Sequence, residues 1–209
     1  LLVGAQRSSD RGSSDAFMNL LCACKYIVNS NFCDVGICMH EHSDDNSCLI
    51  LPATKTKKFH SSRRDAFKAI NSEPLARIHL DGKYENLSEQ QKQNKKSKLT
   101  IKPFKENLKV GILKAHQNMF AKEIENYSSG FNGLIIEGTG LGHLPVNETD
   151  KDTKENLKIF KAIKKLSKSI PVFMTTQATF GRVNMNVYSS GRKLKEIVSG
   201  DYNDILTET

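Results

Sequence analysis

Residues 1–21, LLVGAQRSSDRGSSDAFMNLL, decide how the rest of the chain is read. Leu1-Leu2-Val3 is an apolar run with the length of a strand's tail. Gly4-Ala5 follows, small enough for a ligand to approach the backbone closely. A polar stretch runs from Gln6 to Ser13, and then a helix is signalled. Ser13 or Ser14 can cap it, and Asp15 falls in the first turn, where the dipole favours a negative charge. Ala16, Phe17, Leu20 and Leu21 give the predicted buried stripe. Strand, polar loop and helix in this order is how open α/β sheets place chemistry at the carboxyl ends of their strands. Gln6, Arg7, Ser8, Ser9, Asp10 and Arg11 are consecutive donors and acceptors, more than a connecting turn needs.

Working outward, residues 35–39 and 48–51 read as strands, the second closed by Pro52. Residues 41–47, EHSDDNS, form the turn between them. Residues 53–64, ATKTKKFHSSRR, show no periodicity, and residues 65–70 read as a short helix or turn. A strand over 75–80 ends at the turn signal Asp81-Gly82. Residues 85–98, ENLSEQQKQNKKSK, are almost free of apolar side chains and read as a linker. Beyond it the elements alternate. Strands are predicted over 110–113, 133–136 and, as the last, 171–175. A helix over 119–127 carries Phe120, Ile124 and Tyr127 in register. A second, over 153–169, has Leu157, Phe160, Ile163 and Leu166 on one face and Lys opposite. Residues 204–209 read as a helix start. The reading is two α/β domains with largely parallel sheets, over 1–84 and 109–209, joined by a basic polar linker over 85–108.

The 209 residues carry 26% charged and 38% hydrophobic side chains, a globular rather than a disordered composition. No apolar run approaches the roughly 18 residues of a membrane span, and no targeting segment is recognisable, so no membrane partner is expected. The first residue lies inside a strand and the last inside a helix start, so we read the chain as open at both ends, a fragment. The five cysteines cluster in the first quarter without a CxxC pair, as expected of reduced thiols in a cytoplasmic protein. Metal ligation is not expected, although His40 and His42 beside Cys38 would share a face if that segment stayed extended. The formal charge of +8 favours a polyanionic partner weakly. Its excess lysines lie mainly in residues 92–105 and 151–168.

Four loops carry candidate chemistry because each follows a strand: residues 4–14, 55–64, 137–143 and 175–188. EGTGLGH (137–143) invites a phosphate-loop reading, but it matches neither GxGxxG nor GxxxxGK[ST], and Pro145 follows instead of a helix. A tight turn is the simpler account. Lys58, in KKFHSS ahead of Arg63-Arg64-Asp65, lies among cations and is a candidate general base for activating a hydroxyl. A solvated Lys-rich loop is the ordinary alternative.

Four segments carry a resemblance. GAQRSSDRGSSD (4–15), KFHSSRRDAF (58–67), LIIEGTGLGHL (134–144) and MTTQATFGRVNMNVYSSGRKL (174–194) resemble the D-subunit family of archaeal glutamyl-tRNA(Gln) amidotransferases, within the type I L-asparaginases. The resemblance runs over nearly the whole chain and implies an asparaginase-like fold, the N-terminal domain incomplete. It implies an amidohydrolase of glutaminase or asparaginase type that releases ammonia from glutamine or asparagine. The ammonia would serve amidation of Glu-tRNA(Gln) by a partner E-subunit, in a homodimer within a heterotetramer. No cofactor is implied for the D-subunit itself; ATP and Mg belong to the partner. By motif position Lys58 becomes the catalytic lysine, with Lys55 and Lys57 close enough in the motif to remain alternatives. Ala5 and Gln6 fall where the substrate meets the backbone. Thr139, Gly140 and His143 fall on a C-terminal-domain loop that the family lends to a neighbouring site. Two departures stand out. Gly12 replaces the family's Pro, and no TGGT-like or GTDT-like segment is present to supply the nucleophilic Thr and its Thr-Asp pair, so the chain alone is expected to be inactive. The competing readings are a free-standing L-asparaginase, a non-enzymatic RNA-binding α/β module built on the basic linker and helix, and a nucleotide-binding Rossmann domain.

Overall fold

The computed structural model describes residues 1–89 and 100–201. They fall into two compact units, Leu1–Thr100 and Ile101–Thr209. Most of the basic run in residues 85–98 and the helix start expected at 204–209 lie outside the described residues.

In the first unit, β1 (Leu2–Val3) leads through the polar loop into α1 (Ala16–Asn29) and back to β2 (Gly36–His40), which pairs with β1 in parallel. After that crossover the chain meanders. β3 (Ser47–Pro52), β6 (Ala76–His79) and β7 (Tyr84–Asn86) add in antiparallel order to give the sheet β1-β2-β3-β6-β7. The expected parallel character is therefore confined here to one strand pair. For β2–β3 and β6–β7 the reason is turn length: the short polar turns after His40 and His79 permit only antiparallel neighbours, because a parallel return needs a crossover of a dozen residues or more. β7 also takes residues 84–86 into the sheet, two of which read as linker in the sequence.

Between β3 and β6 the chain makes one 3₁₀ turn (Ala53–Lys55) and a separate hairpin of β4 (Thr56–Lys58) and β5 (Phe67–Ala69). The aperiodic region, and the short helix or turn expected at 65–70, are thus two short strands. Three-residue strands are too brief for alternation to be legible.

The stripe predicted for α1 is corrected. Phe17 and Leu20 are 75% and 56% exposed, while Met18, Asn19, Cys22, Ala23 and Tyr26 face the sheet. The helix is apolar on both sides, so hydrophobicity cannot choose its rotation. The choice is made by Asp15 and Asn19, both fully buried and hydrogen-bonded inward.

The second unit is the parallel α/β layer expected. β8 (Val110–Lys114), β9 (Gly133–Gly138), β10 (Val172–Thr176) and β11 (Gly200–Asp201) form the sheet β11-β10-β9-β8, every pair parallel. Its helices are α2 (Ala121–Glu125), α3 (Lys154–Leu166) and α4 (Ser189–Lys195). The strand predicted as the last is followed by α4 and β11; two residues leave no pattern to read. α3 buries Ile159, Ala162, Ile163 and Leu166, so its core face is turned from the predicted one, with Leu157 and Phe160 half-buried at the margin. α2 is shorter than predicted and leaves Phe120 exposed as its cap residue. Leu113, Ile124, Leu134, Ile136, Val172 and Met174 complete the core between sheet and helices.

Candidate active site

Ala5 and Gln6 sit just beyond β1, Ala5 exposed and Gln6 half-buried. Their loop is held by Asp15, which stands at the N-cap of α1 yet caps no helical amide with its side chain. Its carboxylate instead accepts the backbone N–H of Gln6 at 3.0 Å to both oxygens, that of Arg7 at 3.0 Å, and the Asn19 side-chain amide at 3.0 Å. The capping serine is Ser14, whose Oγ accepts from the Ala16 N–H at 3.2 Å and donates to the Arg7 carbonyl at 2.9 Å.

From Asp15 a chain of polar groups, buried as far as His40 and exposed at Asp45, crosses the unit. Asn19 Nδ2 also donates to the Gly4 carbonyl at 2.9 Å, which leaves Asn19 Oδ1 facing His40 Nδ1 at 2.6 Å. Because both partners of Nδ2 are acceptors, Oδ1 is the acceptor and His40 Nδ1 the donor. His40 Nε2 lies 3.2 Å from Asp45, and Asp45 receives Arg64 Nη1 at 2.6 Å. The His40 hydrogen bond, with Arg64 beside it, holds the Asp45 carboxyl below its ordinary value against a smaller opposing burial effect. The loop of the first motif is thereby connected, through five side chains, to the arginine pair of the second.

His40 and His42 do not share a strand face. β2 ends at His40, which is buried, while His42 is exposed and Cys38 Sγ donates to the Asn19 carbonyl. Among the described residues no group of three or more His, Cys, Asp or Glu side chains is placed to hold a metal ion. Nor is any helix among them long and apolar enough to cross a membrane.

Lys58 is the last residue of β4, opposite Phe67, and its side chain is exposed. The loop that follows is tightly hydrogen-bonded. Phe59 N–H donates to the Ala66 carbonyl at 2.7 Å, and His60 Nδ1 accepts the N–H groups of Ser62 and Arg63 at 3.1 and 3.0 Å. Arg63 grips Asp65 with two bonds of 2.9 and 2.6 Å. Burial pushes the Asp65 carboxyl up, but Arg63, a backbone hydrogen bond and the charge of Lys68 together hold it below the usual range. Of the alternative lysines, Lys57 projects to the opposite face of the hairpin from Lys58, and Lys55 lies in the preceding 3₁₀ turn.

In the second unit, EGTGLGH is a tight turn at the carboxyl end of β9. Thr139 N–H donates to the His143 carbonyl at 2.9 Å, and the Gly142 and His143 N–H groups return to the Thr139 carbonyl at 3.0 and 2.9 Å. Three of the turn's amides are consumed within it, as a tight turn requires. Gly142 has φ +95°, and a Cβ at Gly138 would lie 2.7 Å from the Gly142 carbonyl carbon. Thr139 and His143 line a cavity of about 720 Å³ at the carboxyl ends of β8, β9 and β10, with Lys114, His116 and Gln177 also on its wall. Gly140 is on the same turn, its carbonyl accepting from Thr176 Oγ1. Among the described residues neither ring nitrogen of His143 has a hydrogen-bond partner, and burial pushes its pKa down. Its ring packs edge-on against Tyr188 at 5.2 Å. His116, 2.6 Å from Glu123, is pushed the other way by that carboxylate.

Sequence reasoning missed Asn19, and Gln177 as a strut. Gln177 donates through Nε2 to the Glu137 carbonyl at 3.0 Å and to the Ala115 carbonyl, tying together three strand ends. Asn19 had a signal: it is the one polar residue inside the apolar run AFMNLLCAC.

Residues 1–93 match the family described as asparaginase, N-terminal, and residues 109–205 match the glutaminase/asparaginase C-terminal domain. The chain belongs to the asparaginase family, with the parallel layer of the second unit matching that family's C-terminal domain. Within the family it is similar to the D-subunit of glutamyl-tRNA(Gln) amidotransferase. It is 41% identical to that of Pyrococcus furiosus over 211 residues and 43% identical to that of Sulfolobus acidocaldarius over 212. All of this chain is covered in both, and 45% of either relative, so the chain spans about half the length of the curated relatives it matches. Among solved structures, the thermostable L-asparaginase from Thermococcus kodakarensis superposes with a TM-score of 0.80 at 22% identity, covering 99% of this chain and 57% of that one. L-asparaginase I from Vibrio cholerae gives 0.76 at 21%, with the same coverage.

Proposed function

We propose that this chain is part of an amidohydrolase that releases ammonia from glutamine or asparagine for the ATP-dependent amidation of Glu-tRNA(Gln). The observation that carries the reading is identity of about 40% to D-subunit relatives along the chain's whole length. In unit 1, the two motifs that this likeness rests on are joined by the Asp15–Asn19–His40–Asp45–Arg64 chain. In this reading Lys58 takes the proton of a hydroxyl nucleophile as its oxygen attacks the substrate amide carbon. The proton then passes to the departing nitrogen, ammonia leaves, and water hydrolyses the acyl intermediate. Ala5 and Gln6 line the substrate through a backbone pinned by Asp15. Thr139, Gly140 and His143 belong to a turn lent to a neighbouring site. The nucleophile is a threonine that no residue of this chain matches. The partner is an E-subunit that uses ATP and Mg, in a homodimer within a heterotetramer, in the cytoplasm where translation proceeds.

The test is Lys58→Ala in the complete protein, with ammonia release as the readout. General-base catalysis is worth roughly 10²–10⁴-fold. A loss of that size, with Lys57→Ala near wild type, supports the assignment; a loss under about tenfold overturns it.

A further inference from the structure

The solvent face of α3 carries one sign of charge in register. Lys154, Lys158, Lys161 and Lys165 recur at spacings of four and three, Lys168 follows in the turn just after the helix, and all are exposed. At 100° per residue the four lysines of the helix fall within an arc of about 60°, opposite Ile159, Ile163 and Leu166 in the core. Lys154 to Lys165 spans about 17 Å along the axis. Lys164, also exposed, flanks the stripe. Among the described residues only Lys158 of this stripe has an ion-pair partner, Glu155 at 2.9 Å. At one end lies a depression of about 250 Å³ whose wall includes Lys122, Lys165, Ser128 and Ser169, together with Glu125, which is 3.6 Å from Lys122. Two ammonium groups and two hydroxyls around a depression of that size suit a phosphate group.

We infer that this face binds the phosphate backbone of a structured RNA. The chemistry of the surface selects that partner. Protein interfaces are depleted in lysine and depend on apolar or aromatic anchors, and this stripe offers none. A membrane is the weaker fit: the apolar face of α3 that would insert is occupied by the core, which leaves charge alone, at about 1 kcal/mol per lysine, to hold anionic lipid. What remains is a rigid polyanion. One nucleic-acid strand presents a charge about every 3.4 Å, so the stripe faces about five phosphates. Lysines act as point charges without the bidentate geometry that reads bases, so the contact is independent of sequence. The inference does not rest on the amide-hydrolysis reading. Were that reading to hold, this is the face it would turn to its tRNA.

The test uses the complete protein and a fluorescein-labelled tRNA, with anisotropy titrations between about 50 and 200 mM KCl. The variant replaces Lys154, Lys161, Lys165 and Lys168 by Gln, which keeps helix propensity. We expect binding weakened at least tenfold at about 100 mM and the slope of log K against log[salt] reduced by about 3, at roughly 0.7–0.9 per lost contact. Replacing Lys92, Lys95, Lys96 and Lys98 by Gln is expected to change affinity less than about threefold. Amine acetylation of the unaltered chain gives a readout that needs no variant: RNA should slow modification of Lys161, Lys165 and Lys168 about threefold or more. The inference is overturned if the α3 variant keeps affinity and slope, or if the 92–98 variant abolishes binding. It is equally overturned if phosphatidylserine vesicles or polyglutamate bind as tightly as the RNA, or if acetylation is unaffected. Ammonia release enters none of these readouts, so the outcome is separate from that of Lys58→Ala.

Discussion

Asp15→Ala should release the loop that presents Ala5 and Gln6. The wild-type carboxylate is fully buried and accepts from three donors: the Gln6 and Arg7 amides and the Asn19 side chain. Losing the acceptor leaves the Asn19 amide short of one partner in a dry setting, at about 2 kcal/mol, and two half-buried backbone amides at about 1 kcal/mol each. The sum is about 4 kcal/mol, large for a single substitution. Asp15→Asn keeps the shape and one acceptor oxygen but turns an NH₂ toward a donor, so about half that loss is expected. Asp10→Ala, on the same loop but exposed, should stay within about 0.5 kcal/mol. Hydrogen exchange resolved at Gln6 and Arg7 reads the loop directly. Both amides should exchange at least about 10²-fold faster in Asp15→Ala, since each 1.4 kcal/mol is worth tenfold, while core amides of β3 and β6, which open only on global unfolding, should accelerate by no more than the total loss measured in urea. Urea unfolding followed on the first unit supplies the total. If Asp15→Ala matches wild type within about 0.5 kcal/mol and the two amides keep their protection, the carboxylate does not organise this loop and the reasoning is wrong.

Three more expectations follow from the same geometry. Gly142→Ala places a methyl 2.8 Å from Val183 Cγ1 at φ +95°, so left-handed strain and overpacking together should cost the second unit about 2–4 kcal/mol in urea unfolding. Gly140→Ala, at φ +51° with open space around it, should cost about 1 kcal/mol. His143 has a folded pKa below its unfolded value, so the unfolded chain binds more protons, and stability should fall as pH drops below about 6.5. His116, raised by Glu123, does the reverse: its contribution is complete below about 6.5 and is lost as pH rises through the folded value. Thermal unfolding from about pH 5 to 8 should therefore lose its acid slope in His143→Gln and its alkaline slope in His116→Gln. With a thiol reagent on the native chain, Cys24 and Cys33 should react quickly and Cys22, Cys38 and Cys48 only on unfolding. The hydrogen bond with Cys48 and burial both raise the Cys22 pKa and suppress its thiolate.

The parallel layer of the second unit is legible because each of its three longer strands is an apolar run and α3 carries a 3.6-residue period over three turns. The hairpin holding Lys58 is not, since strands of three residues show no alternation and their pairing is set by the turn, not by pattern. α1 misleads for a different reason. A helix apolar on both faces has no amphipathic signal, so its rotation is decided by two polar residues, Asp15 and Asn19, whose partners lie on the loop after β1 and on β2. The same two residues carry the candidate site. Taken alone, Asp15 reads as a charge on the helix dipole and His40 as a stray metal ligand, because the physics of a single position gives no more than that. Their joint meaning appears only when the helix turns Asn19 inward, where burying its amide without partners would cost several kcal/mol. A lone polar residue in an apolar run is thus a statement about tertiary structure. Here it requires acceptors and a donor from other segments, and those segments prove to be the loop after β1 and the strand that leads, through Asp45, to the arginines beyond Lys58.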